Sequence, residues 1–462
     1  MKQQKLLFIL FFGLIMPEVY SQGWVKHGAG ISSADVCVID IAVPGDNIAW
    51  GILSVFASGT CGGVVPYYVR TVNGNNWSPG PIALLPDVTP VCITAISSTT
   101  AWIAAANIAS NTLGYIYKTT NSGGAWVLQS TANFTDAIRF IHFFDANDGV
   151  AVGDSSIFIT HDGGTNWIAN GALPVPSATI GSGSTIFLLN SYEVVGNNIW
   201  LGDTYGYFYK STDKGLTWNL LPGNIYPSAV KGIAFRDSLY GMAVAAQYIS
   251  GGSGGPGGYA DYSVFTTDGG NTWQPMTFNF VSSTVVNSTA KYDVAYIPGT
   301  ANTFIATSEY DPSYAAFSAI TYDGGVNWQM MDSTEQHTAC VFTSPTNGFT
   351  GGYISNFQSG IYRWSGPLVL GVNEMADANS LQLFPNPAVD KISFTYDGKS
   401  GDDAQVVIND VTGKIIYSEK IADFNNRDFT VDVKDFKEGF YLLQLKTSNG
   451  VINSQKFIKS KN

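Results

Sequence analysis

The chain has 462 residues and a formal net charge of −12, with 13% charged and 45% hydrophobic residues. This length allows more than one domain, and the hydrophobic content argues against a disordered chain. The acidic balance argues against nucleic acid or an anionic membrane surface as a partner, because both repel negative charge.

The first 21 residues have the pattern of a secretory signal peptide. Lys2 and Lys5 precede the apolar run 6–16, and Val19 and Ser21 precede the expected cleavage site before Gln22. No other apolar stretch is long enough to cross a bilayer. We therefore expect an exported protein without a transmembrane segment.

An eight-residue motif, Ser/Thr-x-Asp-x-Gly-x-Thr-Trp, recurs along the next three hundred residues. Its six copies end at Trp77, Trp126, Trp167, Trp218, Trp273 and Trp328. The acidic position holds Asp162, Asp213, Asp268 and Asp323 in the clearest copies and Asn121 in a looser one, and the copy at 70–77 is degenerate. The motif resembles the Asp-box of sialidase-type repeats, which implies a β-propeller.

The chemistry of the motif favours a structural role. An Asp or Asn followed by Gly accepts nearby backbone N–H groups and turns the chain, while the Trp buries a large apolar surface under the turn. We therefore interpret the Asp-box residues as hairpin-stabilising rather than catalytic or metal-binding.

The spacing of the motifs sets the number of blades. The motif tryptophans lie 41 to 55 residues apart, which is typical of four-stranded propeller blades. A seventh unit, 338–364, lacks its last strand, and residues 23–26 look like the missing strand. We predict an all-β fold with a seven-bladed propeller over 22–364, in which the N-terminal strand completes the last blade and removes open sheet edges.

Four cysteines, Cys37, Cys61, Cys92 and Cys340, fall in this region. Three of them occupy similar places in the predicted first strands of blades one, two and seven, and export permits disulfides. We favour the pairings Cys61–Cys92 and Cys37–Cys340, with four buried free thiols as the alternative.

The last 82 residues differ in composition from the rest. Residues 381–462 contain 11 basic and 11 acidic residues, whereas residues 22–380 contain 10 basic and 23 acidic ones. Short alternating strands separated by turns predict a small immunoglobulin-like β-sandwich over 381–462, after a linker at 365–380.

This tail resembles the C-terminal sorting domain of the type IX secretion system of Bacteroidota. The resemblance rests on four motifs in order, which contain Pro385, Asn386 and Pro387, then Gly413 and Lys414, then Gly439 and Tyr441, then Lys456. It implies the type IX machinery as a partner and passage across the outer membrane. It further implies removal of the domain and release of the protein or attachment to surface lipopolysaccharide.

Residues that could carry catalysis are few. The propeller has too few arginines in the right places for a sialidase. Asp154, Asp203, Glu309 and Asp311 follow second strands at the end of the ring away from the boxes, with Glu193 nearby, and are weak candidates for a glycosidase pair. The four histidines form no ligand-spaced cluster, so we expect no metal and no cofactor.

The repeat around Gly149–Gly153 and the following box resembles propellers of the photosystem II assembly factor. That resemblance implies a scaffold that binds other proteins. Tyrosines among small polar residues at the box-free end suit recognition of protein or sugar. The sequence thus predicts a secreted or surface-attached propeller that binds a protein or glycan partner, as an adhesin or scaffold. The alternative is a glycoside hydrolase or lyase.

Overall fold

The structure is a computed structural model that describes the chain in segments. These are residues 23–27, 36–57, 60–63, 66–107, 113–129, 134, 136–174, 187–225, 228–249, 258–276, 278, 291–308, 317–332, 337–352, 360–365, 381–396, 404–410, 414–421, 429–447 and 450–461. The predicted signal peptide, 1–21, and residues 366–380 of the predicted linker lie outside them.

The chain divides into two compact units, Met1–Pro367 and Leu368–Asn462. The described strands of the first unit are β1 Gly23–His27, β2 Val36–Gly45, β3 Ile48–Ala57, β4 Thr60–Gly63, β5 Tyr67–Thr71, β6 Trp77–Pro81, β7 Val88–Ala95, β8 Ala101–Asn107, β9 Gly114–Thr119, β10 Val127–Leu128, β11 Ile138–Phe143, β12 Gly149–Gly153, β13 Ser156–Thr160, β14 Ile168–Ala172, β15 Phe187–Val195, β16 Asn198–Asp203, β17 Tyr207–Ser211, β18 Asn219–Asn224, β19 Ala229–Phe235, β20 Gly241–Ile249, β21 Gly258–Thr266, β22 Gln274–Pro275, β23 Lys291–Tyr296, β24 Phe304–Ser308, β25 Ser318–Thr321, β26 Gln329–Asp332, β27 Cys340–Ser344, β28 Asn347–Gly351 and β29 Ile361–Ser365.

These strands form seven antiparallel sheets, which are the blades of a propeller. In ring order they are β2-β3-β5-β6 with β4 added to β3, β7–β10, β11–β14, β15–β18, β19–β22, β23–β26, and β27-β28-β29-β1. The first strand of each blade contacts the first strand of the next, and β27 of blade 7 contacts β2 of blade 1. The first unit is therefore a closed seven-bladed β-propeller, as the sequence predicts.

The N-terminal strand completes the last blade. β1 pairs antiparallel with β29, with Trp24 opposite Trp364. The Trp24 ring also packs on Trp364, His337 and Phe342, with centroid separations of 5.2, 5.6 and 5.7 Å. This confirms the predicted ring closure and explains why a Trp stands so close to the chain start.

A register irregularity interrupts the first strand of every blade. In blade 1 it lies between Val38 and Asp40, and in blade 6 between Lys291 and Asp293. Such a bulge changes the direction of the side chains that follow it. Its consequence here is that polar residues of otherwise apolar strands face the central channel.

The second unit is a β-sandwich. Its described strands are β30 Leu381–Phe384, β31 Lys391–Tyr396, β32 Ala404–Asp410, β33 Ile415–Ile421, β34 Phe429–Asp432, β35 Gly439–Thr447 and β36 Gly450–Lys459. They form the sheets β30-β31-β34 and β33-β32-β35-β36. The core between the sheets contains Phe394, Ile408, Leu443 and Phe457. The small all-β sandwich is thus confirmed.

Candidate functional site in the central channel

Each Asp-box side chain closes its own hairpin. Asp162 Oδ1 accepts hydrogen bonds from the Thr160 hydroxyl and from the Asn166 backbone N–H, both at 2.9 Å. The N–H of Asn166 is the main cause of the lowered pKa of Asp162. Equivalent bonds are made by Asn121, Asp213, Asp268 and Asp323. Their acceptor atoms are therefore occupied within the turn.

The box tryptophans pack beneath these turns. Trp126, Trp167, Trp218 and Trp328 are buried, and Trp273 is half-buried. The N–H groups of Trp218 and Trp328 donate to the carbonyls of Gly215 and Gly325 in their own boxes, at 3.0 and 3.1 Å. Burial of the ring holds each of these turns to its blade, and in the boxes of Trp218 and Trp328 the bond at the ring edge does so as well.

The boxes also join neighbouring blades, which the sequence reading missed. The indole N–H of Trp102 donates to the carbonyl of Gly163 in the next blade's box, at 3.0 Å. Lys118 donates to the same carbonyl at 2.8 Å, and its ammonium lies 5.0 Å from the Trp102 ring centroid. Trp200 and Lys210 repeat this arrangement at Gly269. The available signal was a Trp in the second strand with a basic residue just before the box.

Asp154, a weak catalytic candidate, is part of an internal ion pair. Its Oδ1 lies 2.9 Å from Nε of Arg139 and its Oδ2 lies 3.1 Å from Nη2. The carboxylate is buried, which raises its pKa despite the guanidinium. This geometry makes Asp154 a link between β11 and the turn after β12.

Asp203, the next candidate, closes the turn between β16 and β17. Its Oδ1 accepts the backbone N–H groups of Tyr205 and Tyr207, both at 2.9 Å, and the Tyr209 hydroxyl donates to Oδ2 at 3.2 Å. The side chain is buried, and burial raises its pKa. The remaining candidates, Glu309 and Asp311, lie outside the described residues.

The tyrosines expected at the box-free end differ in exposure among the described residues, and Tyr115 and Tyr205 are half-buried. Tyr67 and Tyr262 are exposed, whereas Tyr68 and Tyr207 are buried. The Tyr68 hydroxyl donates to the carbonyl of Ser122 in the next blade's box at 3.3 Å, so this side chain joins blades.

A cavity of about 420 Å³ lies within the central channel. It is lined by residues of β2, β15, β19, β23 and β27 and by the turns at Gly196, Arg236 and Pro298. These turns are at the box end of the ring, because the boxes of blades 2 to 6 bond to the turn after the first strand of their own blade. In blade 4, for example, the Lys214 N–H donates to the Asn197 carbonyl at 2.9 Å. The cavity therefore extends towards the box end, whereas the sequence predicted a site at the opposite, box-free end.

Carboxylates in the channel fasten one blade to the next. Asp40 of blade 1 accepts the N–H of Ile93 in blade 2 at 2.7 Å, and Asp293 of blade 6 accepts the N–H of Cys340 in blade 7 at 2.8 Å. Glu193 of blade 4 accepts the N–H of Phe235 in blade 5.

Each of these carboxylates also bonds within its own strand. The N–H donor is the residue that follows it: Ile41 at 2.9 Å, Val294 at 2.8 Å and Val194 at 3.0 Å. We call Asp40, Glu193 and Asp293 the channel carboxylates. Their shared pattern is a bond to the next residue and a bond to the next blade.

Burial raises the pKa of all the channel carboxylates. It raises that of Asp40 to about 6 and that of Glu193 to about 8, and that of Asp293 well above its usual range, although backbone N–H bonds oppose the shift. The Tyr192 hydroxyl donates to Asp40 at 2.9 Å. The charge of the cavity wall therefore changes across the neutral pH range, with Glu193 mostly protonated at pH 7.

Neither favoured disulfide is present. Cys37 is disulfide-bonded, but Cys92 and Cys340 are free thiols, so both Cys61–Cys92 and Cys37–Cys340 are wrong. The side chain of Cys61 lies outside the described part. The physical reason is that Cys37 and Cys61 share blade 1, where β2 and β4 both pair with β3, whereas Cys92 and Cys340 lie in the first strands of the neighbouring blades. Cys37 and Cys92 are also not at equivalent positions, since Cys92 follows the bulge of its strand and Cys37 precedes the bulge of its own. The Cys92 thiol instead donates to the carbonyl of Ile141 at 3.8 Å.

The predicted sorting motifs lie in the second unit. Asn386, between the exposed Pro385 and Pro387, accepts the N–H of Ile458 at 3.0 Å. The Tyr441 hydroxyl donates to the carbonyl of Lys437 at 2.8 Å.

The other motif residues occupy turns and the surface. Gly439 has a φ of 149°, a backbone region that favours glycine. Lys414 donates its backbone N–H to the Asp410 carboxylate at 3.1 Å, and Lys456 is exposed. Gly413 lies outside the described residues.

Residues 382–460 match the family described as the secretion system C-terminal sorting domain. The second unit is a secretion-system sorting domain. This sorting domain indicates passage across the outer membrane to the cell surface or the extracellular space, and implies contact with the type IX machinery. No curated protein matches the chain.

Solved structures share the fold of the propeller. The chain is 16% identical to a structure titled YCF48 bound to D1 peptide, with a TM-score of 0.50 over 75% of this chain and 97% of that one. It is 15% identical to YCF48 from Cyanidioschyzon merolae, with a TM-score of 0.49 over 74% and 98%. It is 10% identical to a GH74 xyloglucanase from Xanthomonas campestris, with a TM-score of 0.50 over 95% and 68%. At these identities the similarity to the first and third of these structures shows the fold alone.

The described residues contain no group of three His, Cys, Asp or Glu side chains placed to hold a metal ion. They also contain no helix long and apolar enough to cross a membrane.

Proposed function

We propose that the exported propeller binds a protein or glycan partner through the box end of its central channel, as an adhesin or scaffold. The cavity of about 420 Å³ carries this proposal. Its volume is within the range of about 300–1,000 Å³ found for ligand sites, and apolar side chains alternate in its wall with a few polar groups. The channel carboxylates are bonded to the scaffold, which favours a rigid binding surface over an acid–base pair.

The structural similarity gives independent support. The propeller of similar fold titled YCF48 bound to D1 peptide shows that a ring of this type can bind a peptide. No binding residue is transferred from that protein, because the identity of 16% supports the fold alone.

Glycoside hydrolysis or lyase chemistry is the alternative, and the described candidates give it less support. A glycosidase needs two carboxyl groups about 5–9.5 Å apart on either side of a sugar. Asp154 pairs with Arg139, and Asp203 accepts bonds within its own turn. Both are buried, so neither offers a free carboxylate to a polysaccharide.

The same proposal extends to maturation. We infer that residues 1–21 are removed as a signal peptide, that residues 22–364 are the functional propeller, and that the linker 365–380 allows removal of the sorting domain. Attachment to surface lipopolysaccharide would then hold the propeller at the cell. Mass spectrometry of the exported protein gives both termini and any attached glycolipid.

The binding proposal is tested with the purified full chain on a glycan array and a peptide array, alongside a reducing-sugar assay. Val341 lines the cavity, so Val341→Trp should abolish any binding found. Val127→Trp is the matched control, because Val127 is 60% exposed on β10, away from the channel. Sugar release that Asp203→Asn abolishes would overturn binding in favour of hydrolysis.

A further inference from the structure

The bulges of the first strands decide which side chains fill the central channel. The first residue after the bulge is Asp40, Cys92, Phe140 and Tyr192 in blades 1 to 4. In blade 5 it is Gly232, which has no side chain. The cavity lies beside blades 4 to 7 and blade 1, and the lining includes no described residue of blades 2 or 3. The rings of Phe140 and Tyr192 therefore occupy one side of the channel, and the cavity occupies the other.

Tyr192 reaches across the ring from blade 4 to blade 1. Its hydroxyl donates to Asp40 Oδ1 at 2.9 Å, and its ring centroid lies 5.0 Å from that of Phe140 in blade 3. The Cys92 thiol of blade 2 interacts with both Tyr192 and Asp40. One side chain thus contacts three other blades. We call the Tyr192 side chain, with its bond to Asp40, the channel plug.

The bulge of blade 4 is larger than those of the other blades, which explains the reach of Tyr192. In blade 1 the bulge before Asp40 adds a single residue, Ile39. In blade 4 residues 188–191 stand opposite Gly202 alone, and regular pairing resumes at Tyr192. A bulge bends its strand and changes the direction of the side chain that follows. The expanded bulge therefore carries Tyr192 further into the channel.

The cavity ends at the channel plug. The first strands run towards the box end, and the lining residues of β2, β15 and β23 begin at Asp40, Tyr192 and Asp293. From there the wall extends to the turns at the box end, which form the mouth. Carboxyl groups thus lie at the inner end of the cavity, and apolar side chains such as Val341 lie along its sides.

We propose that Tyr192 closes the central channel, so that the partner inserts one side chain or chain end from the box end and does not pass through the ring. The inserted group has an apolar stem, which packs on the sides of the cavity, and a hydrogen-bonding tip at the inner end. The oxygens of Asp293 there each accept one backbone N–H and have a second lone pair for the tip. The inference rests on the proposed binding function, because it concerns the same cavity.

Two free thiols lie on opposite sides of the channel plug and allow a test without a known ligand. Cys340 lines the cavity and is half-buried, whereas Cys92 is buried against Tyr192 and is not part of the lining. Burial raises the pKa of both thiols well above the usual value, so access rather than acidity distinguishes them. In the purified full chain, methyl methanethiosulfonate should modify Cys340 at least about tenfold faster than Cys92.

Variants of Tyr192 test the channel plug directly. Tyr192→Ala should raise the rate at Cys92 about tenfold, because the reagent then reaches the far side of the channel. Tyr192→Phe keeps the ring and should leave Cys92 protected. Phe208→Ala removes a buried ring from the core of the same blade, so it controls for general destabilisation and should not expose Cys92 selectively. Peptide mapping by mass spectrometry assigns each modification.

The outcomes separate this inference from the binding proposal. Equal reaction of Cys92 and Cys340 in the parent chain, or protection of Cys92 in Tyr192→Ala, would show that Tyr192 does not close the channel. Insertion of the partner is overturned if a ligand from the arrays still binds after N-ethylmaleimide has modified Cys340 and filled the cavity. Binding that Val341→Trp leaves unchanged contradicts the proposed function itself, whatever the thiols show.

Discussion

At the scale of single residues, a carboxyl group takes opposite protonation states in different surroundings. Exposed Asp162 in its box is held ionised by N–H donors, whereas buried Glu193 in the channel is held mostly protonated at neutral pH. The sequence revealed the first role because the box repeats. It did not reveal the second, because a lone acid in an apolar strand has no repeating partner, and the contact that explains it comes from the next blade.

The contribution of a box carboxylate to stability can be tested by comparison with the box of blade 2, which has Asn121 in the same position. Asp162→Ala should lower the free energy of unfolding by about 1 kcal/mol, because the lost hydrogen bonds are exposed to water. Asp162→Asn should cost less, since Asn121 makes the equivalent bonds in blade 2. The lowered pKa means that the stabilising effect is present above the unfolded pKa near 3.8 and is lost as pH falls further. Urea unfolding at pH 7 and pH 3 measures both effects; an equal loss for Ala and Asn would contradict this role.

At the scale of elements, the first strands determine how blades meet. Their bulges bring Asp40, Glu193 and Asp293 to the channel, and each carboxylate then bonds to the following blade. The periodicity of the sequence predicted the number of strands but not the bulges. A bulge adds only one residue to a strand, and the strand still reads as apolar. The mistaken matching of Cys37 with Cys92 has the same origin, because the positions were counted without the bulge.

The channel carboxylates predict a stability that falls as pH rises. A group whose pKa is raised in the folded state contributes its full stabilisation of the fold below its unfolded pKa. For Glu193 the unfolded pKa is near 4.5, and the contribution disappears as pH approaches the folded pKa of about 8. Asp40 and Asp293, which line the same cavity, act in the same direction. Each pH unit in this interval lowers the free energy of unfolding by at most about 1.4 kcal/mol per group.

Glu193→Gln should therefore flatten the decline of Tm between pH 5 and pH 8, because the amide cannot ionise. Asp46→Asn changes an exposed carboxylate of the same propeller and should leave the slope unchanged. Calorimetry at several pH values measures the slopes. A Glu193→Gln slope as steep as that of the parent chain would show that ionisation of Glu193 does not drive the decline.

At the scale of the whole molecule, the ring is the feature that the sequence predicted best. The box spacing and the unmatched Trp24 strand together require seven blades, because an incomplete blade and a spare strand complement each other across the chain. The channel contents could not be predicted in this way, because they depend on which side chains the strands bring together from distant parts of the sequence.

Ring closure gives the largest expected effect on stability. Deletion of residues 22–30 removes β1, its pairing with β29 and the contacts of Trp24 with Trp364 and Phe342, and leaves blade 7 with an open edge. Loss of a fully buried Trp side chain costs about 3–5 kcal/mol. Trp24 is half-buried, but the deletion also removes the pairing of a whole strand, so it should lower Tm sharply and promote aggregation through the exposed strand. A chain that lacks only residues 1–21 keeps β1 and is the control. Scanning calorimetry with light scattering compares the two, and coincident melts would mean that blade 7 is stable without its fourth strand, so that the closed ring owes its stability to contacts between first strands.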